Sequence, residues 1–275
     1  RSGNFPPMGR LDGKVAFITG AARGQGRAHA VRLANEGARI AGVDICAPLP
    51  VEYEPATSED LAETVRLVEA TGQSMLGLHG DVRRLADMQK AVAATLEAFG
   101  QIDVVVANAG ILTAGLLWEL SEEQWHDMID TNLTGVWHTI KAVVPVMIEQ
   151  GRGGSIIVIS SVSGLSGSPF VGHYVAAKHG AVGLCRTLAN ELGAHRIRVN
   201  SVHPAGVTTK MNEGRALPDL INRFADTLGP IFMTSLPYFM MEPEAISNMV
   251  AFLASDESKY ITGAQLPIDM GTLNR

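Results

Sequence analysis

The sequence predicts a doubly wound α/β fold, a parallel seven-stranded sheet with helices on both faces, as a single domain. Two observations carry that expectation. Seven short apolar or β-branched runs alternate with stretches of helical periodicity from Leu11 almost to the end, the rhythm of parallel strands joined by crossover helices. A glycine-rich turn at 19–26 stands directly between the first run and the first helical stretch, where an open α/β sheet receives phosphate groups.

The runs at 15–19, 39–44, 74–79, 104–107, 155–159, 198–202 and 265–268 are each bounded by Gly, Asp, Asn or Pro, as strands buried on both faces tend to be. Helical spacing of apolar residues marks 24–36, 61–70 and 85–99. Ser121-Glu122-Glu123-Gln124 is a capping box opening a further helix, because Ser and Gln at that spacing satisfy each other's backbone donors. Helices at 136–150, 175–192 and 244–254 complete the set.

Two stretches break the rhythm. Residues 47–59 hold Pro48, Pro50 and Pro55, and 208–243 holds Phe232, Met233, Leu236, Tyr238, Phe239, Met240 and Met241. Long connections of this kind are lids, binding loops or disordered segments; the second reads as an apolar lid over the site, with an oligomer contact or plain core as the alternative. Residues 1–10 read as a flexible arm or a cloning remnant, leaving 11–275 as one dinucleotide-binding catalytic domain.

A net charge of −6 with 18% charged residues supplies no basic footprint, which argues against nucleic acid. No apolar run reaches the ~20 residues of a membrane span. Cys46 and Cys185 have no partner spacing and read as reduced thiols of a cytoplasmic protein. The eight histidines fall in no metal-binding spacing, so no metal is expected. His29, His126, His138, His179 and His195 read as ordinary helix residues, His173 as a neighbour able to tune Tyr174, and Trp118, Trp125 and Trp137 as packing residues. A Gly-x-Ser-x-Gly elbow is absent, which removes that nucleophile chemistry.

The turn Thr19-Gly20-Ala21-Ala22-Arg23-Gly24-Gln25-Gly26 lets backbone approach a pyrophosphate without a Cβ in the way. Asp44 ends the second strand with no Arg or Lys in the next two positions. A carboxylate there accepts from a ribose 2′-OH and repels a 2′-phosphate, which favours NAD. Arg23 is the counter-indication, since a cation in the turn suits a 2′-phosphate.

Tyr174 and Lys178 stand at i and i+4 on one helix face. A phenol with a pKa of about 10 is a poor base at neutral pH, and a nearby ammonium favours its ionised form. Ser160-Ser161 closes the fifth strand, so the Ser161 hydroxyl can donate to a substrate oxygen at the sheet's carboxyl edge. Asn108-Ala109-Gly110 ends the fourth strand, and Asn132 precedes a long helix.

Residues 19–26, Asn108–Gly110, Asn132, Ser161, Tyr174 and Lys178, in that order and with thirteen positions from Ser161 to Tyr174, resemble the signature of the short-chain dehydrogenase/reductase superfamily. The resemblance runs from Leu11 to Gly271 and implies a Rossmann-type NAD site. It implies Tyr174 as acid/base, Lys178 on the nicotinamide ribose, Ser161 on the substrate oxygen and Asn132 holding a relay water. It further implies Gly20, Arg23, Gly24, Gln25 and Gly26 around the pyrophosphate, Asp44 and Asn108 at the adenosine ribose, with Ala109 and Gly110 beside them. Asp81 and Val82 would meet the adenine, and Pro204, Val207 and Thr209 would frame the carboxamide. Ala107, Ala205-Gly206 and Asp269-Met270-Gly271 depart from the family pattern in loop detail rather than chemistry.

The Pro-rich 47–59 stretch is most similar to that of the carveol-dehydrogenase-like subgroup. That likeness implies a buried, non-exchanging NAD re-oxidised by an external carrier, mycofactocin; the family resemblance implies a homotetramer assembled through helices 136–150 and 175–192 and the C-terminal segment. The expected activity is hydride transfer between NAD and a hydrophobic, terpenoid-like secondary alcohol or ketone. A 3-oxoacyl thioester reductase, a hydroxysteroid dehydrogenase and a non-catalytic NAD sensor remain as alternatives.

Overall fold

Val15 to Ile18 carry no polar side chain, and every residue of that strand is buried, so it must lie mid-sheet. The computed structural model describes residues 9–274 and places it there. The strands are β1 (Val15–Thr19), β2 (Arg39–Asp44), β3 (Met75–His79), β4 (Val104–Ala107), β5 (Gly154–Ile159), β6 (Ile197–Pro204) and β7 (Gln265–Ile268). They form one sheet in the order β3-β2-β1-β4-β5-β6-β7, with every neighbouring pair parallel. The winding reverses between β1 and β4, and that switch opens a crevice at the strands' carboxyl ends.

Alternation along the strands divides the core in two. Ala16, Ile18, Ile40, Val104 and Val106 pack with Ile246 and Val250 on one face; Phe17, Ala41, Val43, Val105 and Ile156 pack with Met88, Val143 and Cys185 on the other. The first face is covered by α1 (Gly24–Asn35), α2 (Ser58–Glu69) and α9 (Pro243–Ala254). The second carries α3 (Leu85–Phe99), α5 (Gly135–Gln150) and α6 (Gly172–Glu191). Burying Phe17 completely contributes about 3 kcal/mol.

Ser121 caps α4 (Glu122–Ile129) with the expected reciprocal bonds to Gln124. Other boundaries move. α2 begins at Ser58 rather than 61, because Thr57 and Asp60 form a second capping box ahead of the first apolar residue of the periodic face. α6 begins at Gly172 rather than 175, which puts Tyr174 in its first turn. Residues 208–243 contain α7 (Ala216–Arg223) and α8 (Ala225–Leu228) where a loop is expected.

The three tryptophans are not packing residues within this chain. Trp118, Trp125 and Trp137 are 79%, 40% and 42% exposed, since they sit on surfaces turned away from the sheet. Of the supposed arm, residues 1–8 lie outside the described residues. Arg10 belongs to the domain, paired with Glu36 and Glu257. Among the described residues no helix is long and apolar enough to cross a membrane.

Candidate active site

The phosphate turn is a cradle held from below. Gly20 and Gly24 adopt left-handed φ values of 67° and 54°, which a side chain would strain. A Cβ on Gly26 would lie 1.9 Å from the Gly20 carbonyl oxygen. No side chain caps α1, so its first amides face the crevice, where the helix end favours an anion. Asn108 fastens the turn to β4: its Nδ2 donates to the carbonyls of Thr19 and Gly20 at 3.0 and 3.2 Å. Thr19 Oγ1 in turn accepts from the amides of Asn108 and Ala109.

One cavity gathers Gly20, Arg23, Gly24, Gln25, Gly26, Asp44, Asp81, Val82, Asn108, Ala109, Gly110 and Thr209. The Asp44 carboxylate, almost fully buried, accepts from Ala22 N at 2.9 Å and Cys46 N at 3.2 Å. Asp81 is paired with Arg83 at 2.8 Å. The Oε1 of Gln25 and the hydroxyl of Thr131 are buried without protein partners, and both residues line the cavity. A glycine cradle, a carboxylate at the end of β2 and two unsatisfied polar atoms fit a dinucleotide.

The 47–59 stretch crosses this cavity as a strap, contributing Leu49, Tyr53, Pro55 and Ala56 to its lining. Arg23 donates to the Glu54 carbonyl, which explains the cation in the turn without a 2′-phosphate. Leu112 N donates to the Tyr53 hydroxyl at 3.3 Å, and Ala216 N donates to Glu52 at 2.9 Å. Tyr53 was not among the sequence-derived site residues. The available signal was a lone aromatic within a proline-rich segment.

Pro204, Val207, Tyr174 and Lys178 stand beyond that lining, along the carboxyl edge of β5 and β6. Ser161 leaves β5 in extended conformation and caps a single 3₁₀ turn, its Oγ accepting from Ser163 N at 3.1 Å. Its hydroxyl lies 3.5 Å from the Pro204 carbonyl, a marginal contact, and is near enough to the Tyr174 phenol to favour its ionised form. Lys178 Nζ donates to the Ile159 carbonyl at 2.8 Å and lies 5.4 Å from the Tyr174 ring centroid. The three expected side chains are therefore neighbours.

The electrostatics differ from expectation. Burial pushes the Tyr174 phenol up to about 12, partly offset by the Ser161 hydrogen bond. Burial pushes Lys178 down to about 8. Desolvation dominates at both groups, so the phenol keeps its proton at neutral pH. Asn132, in the π-helical segment Asp130–Thr134, clasps Ile111 from both sides, its Oδ1 accepting at 3.2 Å and its Nδ2 donating at 3.0 Å. His173 does not reach its neighbour's hydroxyl; its Nε2 meets Thr113 Oγ1 at 2.8 Å.

The lid also differs. Leu236, Tyr238, Phe239 and Met240 are 54%, 61%, 85% and 40% exposed instead of closing inward. The lid touches the catalytic segment through Phe224 and Phe232, stacked on Phe170 with centroids 5.5 and 6.2 Å apart. Phe170 is buried and held at a φ of 69°.

A family model described as "Enoyl-(Acyl carrier protein) reductase" matches residues 20–272. The chain is 52% identical over 271 residues to an uncharacterized NAD-dependent oxidoreductase of Mycobacterium tuberculosis, covering 96% of this chain and 98% of that one. It is 44% identical over 274 residues to the (-)-trans-carveol dehydrogenase of Rhodococcus erythropolis, covering 96% and 99%. The crystal structure of carveol dehydrogenase from Mycobacterium avium in complex with NAD superposes with a TM-score of 0.91 at 48% identity, covering 97% of this chain and all of that one. With a family match spanning residues 20–272 and relatives 44–52% identical over nearly the whole sequence, this chain belongs to the short-chain dehydrogenase/reductase family.

Proposed function

We propose that this protein is an NAD-dependent alcohol dehydrogenase whose substrate is a hydrophobic, terpenoid-like secondary alcohol, and which can run in reverse on the matching ketone. The carrying observation is the convergence of Ser161, Tyr174 and Lys178 at the sheet edge beside the dinucleotide cavity. The relatives named carveol dehydrogenase support the substrate class, and the apolar stack of Phe170, Phe224 and Phe232 supports a non-polar surface next to Tyr174.

NAD supplies the hydride acceptor at its nicotinamide ring. Gly20, Gly24, Gln25 and Gly26 would hold its pyrophosphate, Asp44 the adenosine ribose, and Val207 and Thr209 the carboxamide side. Ser163 N occupies one lone pair of the Ser161 hydroxyl, leaving its proton for the substrate oxygen as negative charge develops there. Tyr174 takes the alcohol proton while the carbinol hydride departs, and returns it in reduction. Lys178 lies against the Tyr174 ring, so it shares the proton-transfer face. The phenol's high pKa sets a requirement: the positive charge of the oxidised cofactor must bring it down before it serves as base.

The strap contacts of Arg23, Tyr53 and Glu52 support slow exchange of the nucleotide and hence an external carrier, mycofactocin, as re-oxidant. The exposed tryptophans on and before α4 and α5 support a homotetramer that covers them. Both cysteines are free, in keeping with a cytoplasmic protein.

Single-turnover oxidation of a panel of cyclic terpene alcohols tests the reading. Tyr174→Phe should slow hydride transfer by about 10²–10⁴-fold with little change in NAD binding. A variant as fast as the parent would remove Tyr174 from the chemistry.

A further inference from the structure

β6 ends next to the catalytic edge, and its last two residues lie against Ser161. Pro204 offers its carbonyl to the Ser161 hydroxyl at 3.5 Å. His203, completely buried, brings Nδ1 to 2.7 Å from the Ser161 carbonyl oxygen and Nε2 to 2.8 Å from the Ser201 hydroxyl. Resting on the active-site reading above, we propose that His203 is a positioning residue for Ser161, acting as a neutral imidazole with its proton on Nδ1.

The tautomer follows from the partners. A carbonyl oxygen only accepts, so Nδ1 must carry the proton. A neutral ring then has an acceptor at Nε2, and Ser201, also completely buried, supplies the donor. Burial holds this imidazole below its ordinary pKa, consistent with one proton rather than two. The bond matters because Ser161 lies just past the last β5–β6 pair, Ile159 with Val202. Beyond that pair the chain is tied across by Ser160 N to the Val202 carbonyl, and the His203 side chain provides the next tie at Ser161 itself. Lys178 performs the same service two residues earlier, on the Ile159 carbonyl. Imidazole and ammonium together fix the backbone on which the serine hydroxyl is presented. Without the imidazole, the Ser161 carbonyl keeps only the Gly164 N–H of its own turn, the tie from Ser161 to β6 is lost, and the hydroxyl is free to drift from the substrate oxygen.

The test compares two amide replacements in the full-length protein loaded with NAD, using the terpene alcohol it turns over fastest. Asn places its amide N–H near the Nδ1 position, whereas Gln places it toward Nε2. His203→Gln should lower the single-turnover rate about tenfold, with the half-saturating alcohol concentration and thermal midpoint near the parent's, because a misplaced group costs rate rather than binding. His203→Asn should recover most of that loss. In a Ser161→Ala background His203→Gln should add nothing further, since its effect runs through the missing hydroxyl. ¹⁵N shifts of the imidazole should report a protonated Nδ1 and a bare Nε2 at neutral pH. Equal rates for the Asn and Gln variants, an additive loss in the Ser161→Ala background, or a proton on Nε2 would each overturn the proposal. Full activity of Ser161→Ala would instead overturn the active-site reading on which it rests.

Discussion

Lys178 is a charge the fold would be better without, and its replacement measures what the site costs. A lysine held near 8 by burial against an ordinary 10.5 costs about 3 kcal/mol at neutral pH, at about 1.4 kcal/mol per pH unit. Below pH 8 the amine is protonated in folded and unfolded chains alike, and the full cost is present. Between pH 8 and 10.5 the folded protein sheds the proton while the unfolded chain keeps it, so stability rises with pH; above 10.5 the cost is gone. Lys178→Met keeps the length of the side chain and removes the charge. It also strands the Ile159 carbonyl that Nζ now bonds at 2.8 Å, which returns about 1 kcal/mol. The variant should therefore be more stable than the parent by about 2 kcal/mol at pH 7, and the difference should shrink to near zero by pH 10. Urea unfolding of nucleotide-free protein at both pH values measures it, and the same variant should lose hydride transfer. A Met variant less stable at pH 7, or a difference that does not change with pH, would refute the claim that burial of the ammonium dominates.

Three other outcomes follow from particular contacts. Gly26→Ala puts a methyl 1.9 Å from the Gly20 carbonyl, so the cradle must open; calorimetry should find NAD affinity reduced by at least about tenfold. Tyr53→Phe removes the acceptor for Leu112 N, a bond worth about 1 kcal/mol, and stopped-flow should record NAD release about fivefold faster. His29 is buried with Nε2 unpartnered and Nδ1 2.7 Å from Ser247 Oγ, and burial lowers its pKa from 6.5 to about 3. Only the unfolded chain takes up that proton between pH 6.5 and 3, so stability falls as pH falls through this range, by up to about 5 kcal/mol. His29→Leu should flatten that acid limb in denaturant melts at pH 7 and pH 4.

Strand positions were legible because each is a short apolar segment closed by turn residues; β1, β2, β4 and β7 fall where the sequence places them. The start of α2 was misjudged because apolar periodicity begins at Leu61, while the Thr57–Asp60 cap that starts the helix is polar. The lid was read from composition alone. Composition carries no direction, and Phe224 and Phe232 turn inward while Tyr238 and Phe239 turn out.

For the site, the sequence by itself determined the residue types and spacing: the glycine turn, the carboxylate ending β2, and the serine, tyrosine and lysine of one edge. Those signals are local, set by periodicity, capping and backbone freedom within a few residues. Only the tertiary structure decided that Tyr53 bridges the cleft to Leu112, 59 positions away, and that His203 holds Ser161 across 42. It likewise decided that burial raises the phenol more than its Ser161 hydrogen bond lowers it. Such contacts depend on strand register and on how much water the neighbouring elements exclude, and neither is written in any short stretch of chain.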